Sequence, residues 1–457
     1  MSAAGSKGAA DSRGGAIVEN AVGLLKAVPG ISWKLVHRQE RRTNLYVTKG
    51  HQTESALSGY RDTVHVTVYK RFGVQLGECS FPLISADKRE MSKRVADALV
   101  ICGHTQKQAY SLPERRPVPN IPLVDPEIVN AISKGMLDKK LLAIAERVKE
   151  EFAHRQGFRL NSMELFAEHG KTLIINSNGL KAFAEDTEAY LEMTITAFVG
   201  EKEQEHVPAT RVRRLRDLDI KQLVDEYTKI AHDVLIAFRP NRFKGPAVLV
   251  KDALREFFAP SQYPNPIVAH CSARWKHMGI SRYQPDEYIT NRPIIGDKIT
   301  LMSNPLVPYN VESEAFDDDG VPGQQVTLIK EGRFKDHIAS KKYADYLRIK
   351  PSGPLGVIQV KPGSKSMAQL LSSKKMVYEI VAFSSFVPND VSGDFTAEIR
   401  LGYMHDGDKK TPFKGGMLTG NIFDLMSNAY FSKEVEKMPG YIGPEAIRFE
   451  NAMVSGM

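Results

Sequence analysis

Apolar residues recur in this chain at two different periods, in separate blocks, and no block is long. From Asp62 to Phe81 they alternate, with Val64, Val66 and Val68 pointing one way and His65, Thr67 and Tyr69 the other. That is the period-two pattern of a half-buried strand. From Asp138 to Gln156 they recur at helical spacing, with Leu141, Leu142, Ile144, Ala145, Val148 and Phe152 on one face, as an amphipathic helix requires. No apolar run approaches the ~20 residues that span a bilayer, so no membrane partner is expected. A chain built this way must bury helix stripes against sheet faces, and the expected class is α+β. Its 457 residues, 42% hydrophobic and 25% charged, suffice for two or three domains with buried cores.

Residues 1–15, rich in Ala, Gly and Ser, lack the apolar stretch of a secretory signal and read as a disordered leader. Residues 16–120 read as an N-terminal α/β-type domain. In it Gly73 and Gly77 interrupt a strand, Ser85 or Asp87 caps a helix, and Met91, Val95, Leu99 and Val100 form its apolar stripe. The run Leu112 to Pro119 holds three prolines in seven residues, which favours an extended linker. Residues 121–238 read as a middle α+β segment. Asp138 is its expected helix cap, and strands Ser162–Glu168 and Lys171–Asn176 are expected to meet in a tight turn at His169-Gly170. A turn at Ile175 to Gly179, a strand from Tyr190 to Phe198 and a helix from Asp217 to Phe238 follow. Residues 239–457 read as a β-rich C-terminal domain, with a strand at Ala247–Val250 and helices at Lys251–Phe258 and Ile422–Ala429.

The net charge of +8 is the small difference between 62 basic and 54 acidic residues. The densest basic run, Arg211-Val212-Arg213-Arg214-Leu215-Arg216, carries no interleaved aromatic residues, which a base-stacking platform needs. It reads as a solvated loop and helix start, and no nucleic-acid partner is expected. Three cysteines, Cys79, Cys102 and Cys271, are odd in number and far apart, which argues against a disulfide framework and for a reducing cytoplasm.

A zinc peptidase needs two histidines close together on a helix, with a Glu to activate water. None of the twelve histidines has that spacing; the nearest pair, His270 and His277, is seven apart. On one helix these would stand ~10 Å apart, too far to share a metal bound at ~2 Å. The acidic run Asp317-Asp318-Asp319-Gly320 lacks the later ligands of a calcium loop and reads as a capped turn, with glycine taking the strained position. There is no G-x-S-x-G elbow, and Cys271 lies in no recognisable catalytic context. Lys361 to Ser366 lacks the full phosphate-loop form.

Four stretches together resemble one family. They are Ile175-Asn176-Ser177-Asn178-Gly179, the run Ala315 to Lys335 containing Asp317-Asp318-Asp319-Gly320-Val321, Ser392-Gly393-Asp394-Phe395, and Leu418 to Leu425. The resemblance is to the TldD/PmbA (TldD/TldE) zinc peptidases, and it implies the C-terminal domain of that type. Metal-binding members of the family carry H-E-x-x-x-H before the acidic loop and a cysteine after the G-D-F motif. Here the first interval runs through His270 and Trp275 without that motif, and the second position falls at Ile399 or a neighbour within Thr396 to Leu401, none of them Cys. The chain thus resembles the TldE/PmbA-type subunit, with no catalytic residue and no metal of its own. The resemblance implies a heterodimer with a TldD-like subunit that holds zinc, enclosing a cavity in which an unfolded peptide binds as an added strand. Asn176, Ser177, Asp317, Asp318, Gly320, Gly393 and Asp394, with Asn421 nearby, are the residues expected to line that groove. The alternative is a homodimeric peptide-binding pseudo-enzyme or scaffold in peptide maturation.

Overall fold

The structure, a computed structural model, describes residues 5–48, 53–259, 265–373 and 376–456. Its first part runs α1 (Gly5–Ala27), β1 (Ile31–Val47), β2 (Thr53–Phe72), β3 (Gln75–Leu83), α2 (Lys88–Cys102), β4 (Lys107–Gln108), α3 (Pro126–Ser133), α4 (Leu137–Ala153), β5 (Phe158–Asn176), β6 (Lys181–Val199), β7 (Lys202–His206), β8 (Ala209–Val212) and α5 (Ile220–Ile236). These strands form one antiparallel sheet in the order β4-β3-β2-β1-β5-β6-β7, with β8 also on β6. β1 pairs with β5 from Lys34↔Asn176 to Val47↔Met163. The sheet therefore continues across residue 120, where the sequence suggested a domain boundary; the proline-rich segment crosses it as a strap.

The helices cover the sheet as their stripes require. Ile17, Ala21 and Leu25 of α1, four apart, pack with Met91, Val95, Ala98 and Cys102 of α2 over Val64, Val66 and Val68. Leu141, Ile144, Ala145, Val148 and Phe152 of α4 pack with Val224 and Ala231 of α5 over Leu165, Leu191 and Met193. Each Val, Leu, Ile, Met or Phe among them contributes about 1.5–3 kcal/mol on burial.

Four sequence expectations change here. α1 begins within the stretch read as a leader, and its buried face needs the sheet beneath it. Val100 points out, 67% exposed, while Ala98 and Cys102 take the inner positions. Asp138 lies inside α4 rather than capping it, whereas Asp87 does cap α2. No turn occurs at His169-Gly170, since β5 is continuous and Gly170 pairs with both Glu40 and Asp186. Glycine suits the close approach of Asp186, whose Oδ1 would lie 3.3 Å from a Cβ.

The C-terminal part holds two sheets. In the seven-stranded sheet, Phe243–Val250 lies between Val377–Pro388, parallel to it, and Ala446–Ser455, antiparallel. Strands Asp394–Asp406, Lys409–Phe413, Met417–Asn421 and Ala429–Phe431 complete it. The six-stranded sheet comprises Leu301–Asn304, Val326–Lys330, Arg333–Phe334, Val357–Val360, Val435–Met438 and Tyr441–Pro444. Phe257 and Phe258, from the helix Lys251–Phe258, enter a common core with Phe449, Phe395 and Tyr441.

The two parts are tied by the basic run that the sequence suggested was solvated. Arg213 is only 6% exposed. Its guanidinium donates to the carbonyls of Thr187 (3.2 Å), Asn310 (3.2 Å), Val311 (2.8 Å) and Ser313 (3.0 Å). Among the described residues, no helix is long and apolar enough to cross a membrane.

Candidate functional site

The acidic turn is built by its own backbone. Asp317 N–H donates to Val321 O at 3.0 Å, and Gly320 N–H donates to Asp317 O at 2.9 Å. Asp317 Oδ1 accepts from the amides of Asp319 and Val321, both at 2.9 Å. Gly320 takes φ +82°, the left-handed region that glycine enters without penalty. Ala315 and Phe316 anchor the turn in an apolar cluster with Ile174, Leu180 and Ala182 of the large sheet. Asp317 Oδ2 is buried and has no partner among the described residues. Burial, then the neighbouring Asp319 charge, pushes the Asp317 carboxyl up to about 6, against the pull of its two amide bonds and Lys34.

Lys34 reaches this turn from β1. Its ammonium lies 2.6 Å from Asp319 Oδ1 and 3.0 Å from Asp318 O. Burial opposes its charge, but Asp319, Tyr69 and Asp318 together outweigh that and hold its pKa above the usual lysine value. Arg38 meets Asp318 at 2.7 Å with both side chains well exposed, so that pair adds little stability.

Asn176 and Ser177 sit beside the acidic turn, where Asn176 spends its polar groups on the fold and the exposed Ser177 accepts one hydrogen bond. Asn176 Nδ2 donates to Pro113 O at 2.8 Å, and its Oδ1 accepts from the amides of Asn178 and Leu180. Ser177 Oγ accepts from Trp33 N–H at 3.2 Å, while Ser177 N–H donates to Trp33 O at 2.9 Å. The turn that follows β5 is thereby fixed to β1 and to the proline-rich strap. Gly320 lies directly against it, since a Cβ there would come 2.4 Å from Leu180 Cδ2.

Gly393, Asp394 and Asn421 form a second group at the end of the seven-stranded sheet. Asn421 Nδ2 donates to Ser392 O and to Asp394 Oδ1, both at 2.9 Å. Its Oδ1 accepts from Phe423 and Asp424 N–H and so caps the short helix Ile422–Leu425. Bonds from Asn421 and Ser392 hold the exposed Asp394 carboxyl below its usual value. Gly393, at φ +80°, leaves room for Phe423, whose ring would lie 2.5 Å from a Cβ. Thus five of the eight expected residues gather at the acidic turn and three gather here. No hydrogen bond among the described residues joins the two groups.

His270 belongs to the second group, which spacing did not reveal. Its ring lies 5.6 Å from Phe423, 5.3 Å from Tyr283 and 5.2 Å from Trp275. Nε2 donates to Val391 O at 3.0 Å, and Nδ1 accepts from Arg282 N–H at 3.2 Å. Burial lowers its pKa. His277 lies on a separate short helix, Ala273–His277, against Tyr343 and Tyr346.

These residues do not fit a zinc ion. Both His270 nitrogens already hold backbone partners, and a zinc ligand must offer a free lone pair. Cys271 is fully buried, its thiol donates to Ile267 O at 3.3 Å, and burial pushes its pKa up. Ile399 is an apolar core residue. Among the described residues no three His, Cys, Asp or Glu side chains cluster within reach of one metal ion.

Residues 264–456 match the PmbA/TldA metallopeptidase C-terminal domain. An uncharacterized protein of Methanocaldococcus jannaschii is 23% identical over 335 residues, 69% of this chain and 76% of that protein. A zinc metalloprotease TldD homolog of Saccharolobus solfataricus is 22% identical over 55% of this chain and 58% of that protein. The crystal structure of TldE from Thermococcus kodakarensis has the same fold, with a TM-score of 0.79 at 17% identity, over 96% of this chain and 100% of that one. The C-terminal domain match and the TldD relative support membership of the TldD/PmbA family, and the whole chain shares the fold of TldE.

Proposed function

We propose that this chain is the zinc-free, TldE-like subunit of a heterodimeric peptidase, completing a cavity whose metal is held by a TldD-like partner. The observation that carries this reading is the state of the would-be ligands. His270 is bonded at both nitrogens, Cys271 is sealed in the core, and an isoleucine stands where the family's cysteine would be counted. The chain then contributes shape and hydrogen bonds to an unfolded peptide laid down as an added strand.

Within the two groups the roles divide by exposure. Asn176, Asn421 and the glycines hold their turns. Ser177, Asp318 and Asp394 are exposed and are the side chains placed to meet a peptide. Around the second group Val387, Val391 and Ile295 are 45%, 52% and 75% exposed, an apolar rim suited to a partner subunit. A second copy of the chain could use the same rim, which is the scaffold reading.

Co-expression with a family member carrying H-E-x-x-x-H separates the two. Stable association and cleavage of an unfolded peptide only by the pair support the heterodimer. A homodimer that ignores that partner and still binds peptide supports the scaffold, and sinks the peptidase subunit.

A further inference from the structure

β2 runs on where its outer neighbour stops. β3 pairs with it only from Val64↔Leu83 to Phe72↔Gln75, whereas β1 pairs with it in unbroken register from Ile31↔Lys70 to Tyr46↔Ser55. From Ser55 to Thr63 the strand therefore has β1 on one side and, among the described residues, no strand on the other. Such an edge is a row of backbone donors and acceptors that another extended chain can satisfy. The edge of β3 is blunted by Pro82, which lacks a donor, but no proline lies between Ser55 and Thr63.

A cleft of about 390 Å³ opens at the step between the two strands, with Gly14, Ile17, Tyr60, Asp62, Val64 and Leu83 among its walls. Side chains alternate along a strand, so Tyr60, Asp62 and Val64 share the face under α1. Ile17, Val64 and Leu83 belong to one apolar cluster and wall the end nearest β3. Beyond them the Asp62 carboxylate is held by His37 Nε2 at 2.7 Å and by the Tyr60 hydroxyl at 3.2 Å. Gln39 Nε2 in turn donates to Tyr60 Oη at 2.9 Å. Gly14 lets α1 sit this close, since a Cβ there would run into the Asp62 carboxylate. These polar side chains already have partners, so charge does not call for the ligand. What stands open is the strand backbone beside an apolar wall.

We propose that the β2 edge from Ser55 to Thr63 is a second peptide site, apart from the groove of the two groups, where an unfolded peptide adds as the next strand. One apolar side chain of that peptide seats against Ile17, Val64 and Leu83, and the residue two positions along faces Tyr60 and Asp62 and is polar. Size commits the occupant: ligand clefts span ~300–1,000 Å³, and this one takes a few residues of loose chain rather than the edge of a folded domain. The choice of peptide rests on the reading of this chain as one that meets unfolded peptide; the site needs neither zinc nor a partner.

The test mixes the full chain with an unstructured nine-residue Ser/Thr peptide bearing one central valine and a neighbouring benzophenone crosslinker. The expected result is binding by fluorescence anisotropy, with crosslinks mapped by mass spectrometry to residues 58–63 and 82–84. Serine in place of the valine should weaken binding about ten-fold, and N-methylation of alternate backbone amides should do so by about ten-fold or more. Crosslinks confined to Ser177, Asp318 or Asp394 would overturn this site and leave the groove standing. Undiminished binding of the N-methylated peptide would also overturn it, and no binding of any peptide would sink both readings.

Discussion

The guanidinium of Arg213 donates to the carbonyl of Val311 at 2.8 Å, joining the segment after β8 to the chain that leads into the acidic turn. Three further backbone carbonyls share that group. Arg213→Met keeps much of the volume but leaves buried carbonyls without donors. The expected loss is about 3 kcal/mol in urea unfolding, against about 0–1 kcal/mol for the neighbouring exposed Arg211→Met. Equal effects at the two positions would contradict the strut.

Asp317 makes stability depend on pH in a direction opposite to that of most carboxylates. Its carboxyl titrates near 6 in the fold, against a reference of 3.8. Between those values the folded chain holds a proton that the unfolded chain releases. Its contribution is fully present below about pH 4 and is lost as the pH rises through about 6. The swing is at most about 3 kcal/mol, and Asp317→Asn should remove it from the difference between pH 5 and pH 7. An unchanged pH profile in that variant would count against the buried, unpartnered Oδ2.

Much of this architecture was legible in the sequence, and the failures share a cause. The stripe of α4 and the alternation at Val64, Val66 and Val68 read correctly because one face of each is buried in one core. The turn at Asn176 to Gly179 read correctly because its signal is local, with Gly179 at φ +81°. The misplaced turn at Gly170 and the buried Arg213 were decided by partners far along the chain: β1 for the first and residues 310–313 for the second. The candidate site divided in the same way. Each motif predicts its own turn, but nothing local says that His270 would join Gly393 and Asn421, or that the acidic turn would lie against Leu180.

Gly393→Ala tests the packing of the second group. A methyl at φ +80° lies 2.5 Å from the Phe423 ring, so both strain and displacement of the ring against His270 follow. The expected loss is about 2–3 kcal/mol, with altered His270 ring resonances in NMR. A variant of wild-type stability with unshifted resonances would refute that coupling.

Asn421→Ala removes a helix cap and the bond that steadies Asp394. The cap accounts for about 1 kcal/mol. If Asp394 meets the peptide, cleavage by the assembled pair should fall several-fold more than this loss of stability explains. Proportionate loss of both, read from unfolding and steady-state rates, would leave Asn421 a purely structural residue.

The zinc-free role of this chain is tested most directly by its zinc content, alone and in complex with a partner carrying H-E-x-x-x-H, measured by mass spectrometry beside peptide cleavage. The prediction is no stoichiometric zinc and no cleavage by the chain alone, with zinc and activity appearing together in the complex. One zinc per isolated chain, with peptidase activity, would contradict it and make this chain an enzyme in its own right.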